Sequence, residues 1–307
     1  MAETAPAARA PDAPSPAHSL GRRLAPWALM VLAILWGSTF FSIKRLLVTL
    51  PVTDFLAVRF LISTVVLVVV FHRSLKMSRR TLLHGLLLGL LWAAAQLLQT
   101  AGLARTTASL SGFVTGLYVV FTPILGFLLF RAKVTRWVWV AVALATVGLA
   151  ALTIRPQAGT LIGLGELLTI ACAIVYALHI AVLGRWSTPR EAAGLTIAQS
   201  LSMTVVFILF ALPGGIVLPS TGVDWAWMIY LAVLCSAVAL LVQTWAQGHL
   251  EAAKAAVIMC SEPLWATFFA ILFGGEHLTW LFVIGAGAIL GAMYLVIRPV
   301  RPAVLSS

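Results

Sequence analysis

A carboxylate followed by a proline, Glu262-Pro263, lies near the middle of an apolar run from Ala252 to Phe273. A helix of roughly 20 apolar residues crosses a bilayer. An ionised carboxylate at that depth costs several kcal/mol unless it is protonated, paired or wet. Two roles are open to Glu262. Facing a cavity, it could bind a substrate ammonium in exchange for a proton, which offers a route to coupling. Alternatively, its protonated form could bond a carbonyl freed by Pro263, because proline removes one helical hydrogen bond. Pro123 interrupts an earlier apolar run without a carboxylate beside it, so a proline break does not by itself require Glu262. That favours the cavity role.

Polar residues recur at helical spacing inside four other apolar runs. Trp92, Gln96 and Gln99 follow i, i+4, i+7 and share one helix face. Ser111, Thr115, Tyr118 and Thr122 continue that pattern in the next run; Cys172, Tyr176 and His179 form a third stripe, and Ser236, Gln243 and Gln247 a fourth. Hydrogen bonding between membrane helices uses such residues for modest energies of about 0.6–2 kcal/mol. Four striped helices together fit a hydrated cavity better than helix glue alone. Trp36 and Trp265 could stack an aromatic or cationic substrate, with apolar packing as the equal alternative. Ser38 stands beside Trp36 in the first run, and His179 offers a proton relay. Arg59, five positions after Asp54, is expected to snorkel outward or anchor its helix, and Lys44 and Arg45 are expected at the interface.

Other chemistries lack their residues. There is no P-loop pattern, so ATP hydrolysis is not expected. The six histidines and the three cysteines (Cys172, Cys235, Cys260) show no metal-ligand spacing. A Ser/His/Asp set needs an acid near a buried serine and histidine, whereas the acids here lie mostly at the ends of apolar runs. No enzyme activity, metal or cofactor is expected.

The elements that must hold these residues follow from composition. The 307-residue chain is 62% hydrophobic and 9% charged, with a mean hydropathy of +1.06. Soluble domains have about 25% charged residues, so this is a polytopic membrane protein. Ten spans are expected, at 26–46, 54–71, 82–102, 110–130, 136–153, 163–183, 191–212, 225–246, 252–273 and 279–297. Residues 1–25 read as a disordered tail, too poor in large apolar groups to offset its ordering entropy. The segment has no apolar core of the kind a secretory signal needs. Residues 301–307 form a C-terminal tail.

Ten spans put both ends on one side. With that side cytoplasmic, fifteen Lys and Arg lie inside and four outside, counting by position along the chain. This positive-inside bias accounts for the net charge of +11 without a nucleic-acid partner. The two halves also echo each other. Trp137, Gly148 and Ile154-Arg155-Pro156 recur as Trp280, Gly291 and Ile297-Arg298-Pro299, while Arg59 and Pro123 correspond to Gln199 and Pro263. Five spans per half (26–156 and 157–300) force the halves to cross in opposite senses. The resulting inverted repeat is typical of secondary transporters, whose site lies near the bilayer midplane.

Three stretches carry a family resemblance: "ILWGSTFFSIKRLL" (34–47), "QTAGLARTTASLSGFVTGLYVVFTPILGFLL" (99–129) and "QTWAQGHLEAAKAAVIMCSEPLWATFFAILFGGEHLTW" (243–280). They resemble the first, the third and fourth, and the eighth to tenth helices of EamA-type members of the drug/metabolite transporter superfamily. The resemblance implies ten helices in an inverted five-plus-five repeat around a central cavity lined mainly by helices 1, 3, 4, 6, 8 and 9. It also implies movement of small metabolites, often export of amino acids or related amphipathic compounds. One departure is Lys133, which stands where that family commonly has a glutamate. The expectation is therefore a secondary exporter in the inner membrane, working by alternating access on a small-molecule substrate within the lipid bilayer, with no obligate protein partner. The alternatives are a multidrug or organic-cation exporter and, in another class, a membrane scaffold or receptor without flux.

Overall fold

Segments such as VTDFLAVRFLISTVVLVVV are apolar on every face, a pattern stable only for a helix buried in protein and lipid. The computed structural model describes residues 16–106, 108–153, 163–274 and 280–297. Its first-half helices are α1 (Pro16–Gly37), α2 (Thr39–Leu46), α3 (Val52–Val70), α4 (Arg79–Leu103), α5 (Ala108–Gly116), α6 (Tyr118–Phe130) and α7 (Arg136–Thr153). The second half contributes α8 (Leu164–Trp186), α9 (Ala192–Ala211), α10 (Gly222–Ala232), α11 (Ala239–Gln247), α12 (Ala252–Met259), α13 (Glu262–Gly274) and α14 (Trp280–Ile297). A π-helical turn, Val233–Val238, joins α10 to α11. No strand occurs among the described residues.

Seven stretches are long and apolar enough to cross a membrane: Ser19–Leu46, Val52–Val70, Arg79–Leu103, Ser111–Phe130, Leu164–Trp186, Ala192–Gly214 and Gly222–Gln247. The remaining three expected spans correspond to α7, to α12 with α13, and to α14. These are shorter apolar helices, the middle pair divided at Cys260–Ser261. Large apolar side chains such as Val69, Phe127, Val147 and Leu209 point outward, as a lipid-facing surface requires.

The packing repeats when the halves are exchanged. α4 lies against α8 and α9, while α1 lies against α11 and α3 lies against α10 and the π turn. α6 packs on α8 as α13 packs on α1, and α7 pairs with α14. Hydroxyls join α3 to α9: Thr64 Oγ1 lies 2.6 Å from Ser200 Oγ and 2.8 Å from Thr204 Oγ1, and Thr204 donates to the Phe60 carbonyl. Such pairs act as glue between membrane helices.

Two boundaries differ from the expectation. Residues 16–25, assigned to a disordered tail, are the first turns of α1, with Pro26 inside the helix. Ala25 and Leu29 are completely buried, which anchors these turns. The carbonyl released by Pro26 belongs to Arg22, an exposed residue that water or headgroups can satisfy. Second, Pro123 lies inside α6, and the interruption between α5 and α6 falls at Leu117, where Leu117 N–H turns back to the Val114 carbonyl. Pro263 does sit at its break, in the first turn of α13, where its missing N–H has no helical partner to lose.

Candidate functional site

Helix interruptions and close approaches shape one central cavity. α1 ends at Gly37 and α2 begins at Thr39, with Ser38 between them bonding the Tyr230 hydroxyl and donating to the Leu35 carbonyl. Gly37 is required here. A Cβ in its place would come within 2.6 Å of the Trp265 Cβ and 2.8 Å of the Glu262 carbonyl oxygen. α1 therefore touches α13 beside the Glu262-Pro263 break. Across the cavity the π turn leaves the Cys235 carbonyl available, and it accepts from Trp36 Nε1 at 3.2 Å. π turns are frequent at functional sites.

Trp36, Trp92, Tyr176 and Tyr118 give the cavity aromatic walls, and Gln96, Gln99, Gln243 and Glu262 add polar groups. Its water-accessible volume is about 40 Å³, room for roughly three waters. Trp36 and Trp92 have ring centroids 5.7 Å apart, and Trp92 meets Tyr176 edge-on at 5.3 Å. Tyr176 donates to Gln99 Oε1 at 3.2 Å. Gln243 donates to Gln247 Oε1, and Gln247 donates to the Ile180 carbonyl, which ties α11 to α8.

Four residues expected at the cavity lie behind it or beside it. Ser38 is at the α1–α2 joint. Thr122 returns its hydroxyl to the Tyr118 carbonyl of its own helix at 2.7 Å. His179 is completely buried, its Nε2 2.9 Å from Gln199 Oε1 and its ring edge-on to Trp92 at 4.7 Å. It supports the cavity wall from outside. Trp265 is half-buried and packs edge-on against Phe268 at 6.0 Å.

Arg59 reverses its expected position. It is 3% exposed and lines the cavity instead of snorkelling outward. Its Nε donates to Ser236 Oγ at 2.7 Å and its Nη2 to the Cys235 carbonyl at 3.4 Å. The sequence carried one signal for this. Arg59 lies seven residues beyond Val52, about 10 Å of helix rise, too deep for an easy reach to water. Thr39, Phe40, Ile43, Thr100 and Met259 also line the cavity. The apolar members among them carry no local sequence signal, because only tertiary packing turns them inward.

The Glu262 carboxyl has no hydrogen bond or ion pair among the described residues. In particular, the bond to a carbonyl freed by Pro263 is not formed, and Glu262 is among the residues that line the cavity. Nine buried side-chain polar atoms among the described residues have no partner. Five of them belong to cavity-lining residues: Arg59 Nη1, Trp92 Nε1, Gln96 Oε1, the Tyr118 hydroxyl and Gln243 Oε1. Buried polar groups normally have partners, so a cluster of exceptions needs an explanation.

The chain is 28% identical to an "Uncharacterized transporter" of Archaeoglobus fulgidus over 285 residues, 91% of this chain and 88% of that one. A solved crystal structure shares its fold with a TM-score of 0.74 at 15% identity, covering 90% of this chain and 96% of the other. The family model described as "EamA-like transporter family" matches twice, at residues 23–154 and 163–298. These two matches span most of the sequence, and the chain belongs to the EamA-like transporter family.

Proposed function

We propose that the chain is a secondary transporter that exports amino acids or similar small amphipathic metabolites by alternating access. In this reading its ten spans form an inverted five-plus-five repeat in the inner membrane, with both termini cytoplasmic. The observation that supports it best is the unmet polarity of the cavity. Five orphaned polar atoms belong to residues that line one space between the halves, and Glu262, whose carboxyl is unpaired among the described residues, lines it too. Helix glue would satisfy these groups, and a scaffold has no use for leaving them open. A transported solute can satisfy them on arrival and release them on departure.

The substrate's ammonium would face Glu262, and its apolar part would lie along Trp36, Trp92 and Tyr176. The joints at Ser38, Leu117 and Cys260–Ser261 would let the spans bend as one half rocks against the other. Protons are the coupling species this arrangement suggests, exchanged at Glu262. The aromatic walls beside a carboxylate also suit an organic cation, which makes a multidrug or cation exporter the second reading.

Purified protein reconstituted into vesicles and loaded with radiolabelled amino acids or cationic drugs tests both readings. Saturable flux of at least one amino acid, absent from empty vesicles, is the expected result. Flux of cations alone would select the second reading, and no flux of either class would return the scaffold. Reporters fused after Arg80 and after Arg301 should both be active in the cytoplasm. Opposite activities would overturn the ten-span orientation.

A further inference from the structure

Arg59 and Glu262 are the charged residues among those lining the cavity, and the proposed function so far uses only the second. A guanidinium stays charged at any physiological pH and presents five donors. The Arg59 group lies over the Phe55 and Phe60 rings, 5.8 and 5.4 Å from their centroids. Ser236 and the Cys235 carbonyl occupy Nε and Nη2. Nη1 has no partner, although the side chain is 97% buried. No acid pairs with it among the described residues. Asp54, on the same helix, accepts from Val217 N–H at 3.0 Å and from the Thr53 hydroxyl. A cation buried at membrane depth without a counter-ion is costly, and the cavity is the open space beside it.

We propose that Arg59 is the anion subsite of the cavity, its free Nη1 receiving the carboxylate of a zwitterionic substrate whose ammonium is held by Glu262. The inference rests on the cavity being the transport site and deepens that reading. Arg59 from the first half and Glu262 from the second present opposite charges to one space. A solute carrying both a carboxylate and an ammonium neutralises both residues. A plain amine neutralises Glu262 and leaves the guanidinium exposed to an apolar wall. The site therefore selects zwitterions over cations of the same shape. A purely structural Arg59, pinning the π turn through Ser236 and Cys235, would make no such distinction.

The test uses matched pairs that differ only in the carboxylate: L-leucine with isoamylamine, and L-phenylalanine with phenethylamine. Each is offered to the full-length protein in vesicles, as competitor and as labelled substrate. Wild-type protein should favour the amino acid of a pair by about tenfold or more, the range expected of a charge-assisted hydrogen bond. Arg59→Gln should lose that preference, weakening the amino acid far more than the amine. Arg59→Lys, which keeps the charge without the fork, should fall between. Equal handling of acid and amine by wild-type protein overturns the anion subsite while the transporter reading stands. Loss of both members of a pair to the same extent in Arg59→Gln would also overturn it, leaving a structural role. If wild-type protein carries neither pair, the amino-acid reading fails and the subsite fails with it. The wild-type comparison needs no variant and holds even if Arg59→Gln does not fold.

Discussion

Thr122-Pro123 in the first half and Glu262-Pro263 in the second stand at corresponding positions, as do Arg59 and Gln199. In each pair one residue is neutral and satisfied within the protein. Thr122 bonds its own helix backbone. Gln199 accepts from His179 at 2.9 Å and donates to Thr244 at 3.2 Å, completely buried. The other member of each pair is ionisable, lines the cavity and has no ion-pair partner among the described residues. The two halves share a backbone plan, yet an ionisable side chain appears once per pair and on opposite halves. Symmetry builds the frame, and the departures from it place one unpaired ionisable side chain of each half on the cavity.

That contrast can be broken most sharply at the carboxylate. Glu262→Gln keeps shape and hydrogen bonding, and it should fold yet lose transport of ammonium-bearing substrates by about tenfold or more. Thr122→Val at the corresponding position should leave transport within about twofold, since one neutral hydrogen bond to the helix backbone is worth only about 1 kcal/mol. Equal losses at both sites, measured as initial rates in vesicles, would erase the distinction.

The second pair should separate by readout. Gln199→Leu strips partners from His179 and Thr244, each loss costing about 1–3 kcal/mol. The variant should melt several degrees lower in detergent, with the preference between leucine and isoamylamine intact. Arg59→Gln should show the reverse, a lost preference with a smaller change in melting temperature.

A smaller effect is expected at the contact between the halves. Gly37→Ala places a methyl group against Trp265 and the Glu262 carbonyl. α1 and α13 must then move apart, and transport should slow severalfold, while Gly287→Ala, where a Cβ meets open space, should be silent. Stopped-flow or initial-rate flux would show the difference.

The smallest effect belongs to a carboxylate that is already satisfied. Glu191, exposed at the start of α9, accepts from Thr81 at 2.8 Å and Thr188 at 2.9 Å, and the Thr81 hydroxyl, then that of Thr188, hold it below the usual glutamate range. Its contribution to stability is complete above about pH 4.3 and is lost as pH falls through the lower folded value. Glu191→Gln should slightly flatten the acid side of the melting-temperature profile and leave neutral pH untouched.

The apolar runs made the helices legible in the sequence, because all-round hydrophobicity leaves few other structures in a bilayer. Pattern also led to much of the cavity lining: Trp92, Gln96, Gln99, Tyr118, Tyr176 and Gln243 face it as their spacing suggests. Thr122 and His179 share those stripes but are used elsewhere, since a stripe is wider than the opening it borders. The joints at Ser38 and Leu117 were not legible, as neither carries a proline at the break. Arg59 was misread for a related reason. Its partners Ser236 and Cys235 lie more than 170 residues away along the chain, and hydropathy along one helix is blind to them.

The π turn between α10 and α11 gives the span a definite aim. It winds one extra residue into the helix, and each residue of an α-helix turns the next side chain by about 100°. Everything after Val238 is therefore rotated by about that angle from where an unbroken helix would send it. Gln243 points into the cavity and Gln247 reaches α8 because of that offset. Removing one apolar residue of the π turn, such as Leu234, would shorten the span by only about 1.5 Å and keep the Cys235 and Ser236 groups that contact Arg59. It would swing the glutamine stripe away from the cavity, like a key cut correctly but turned a quarter too far.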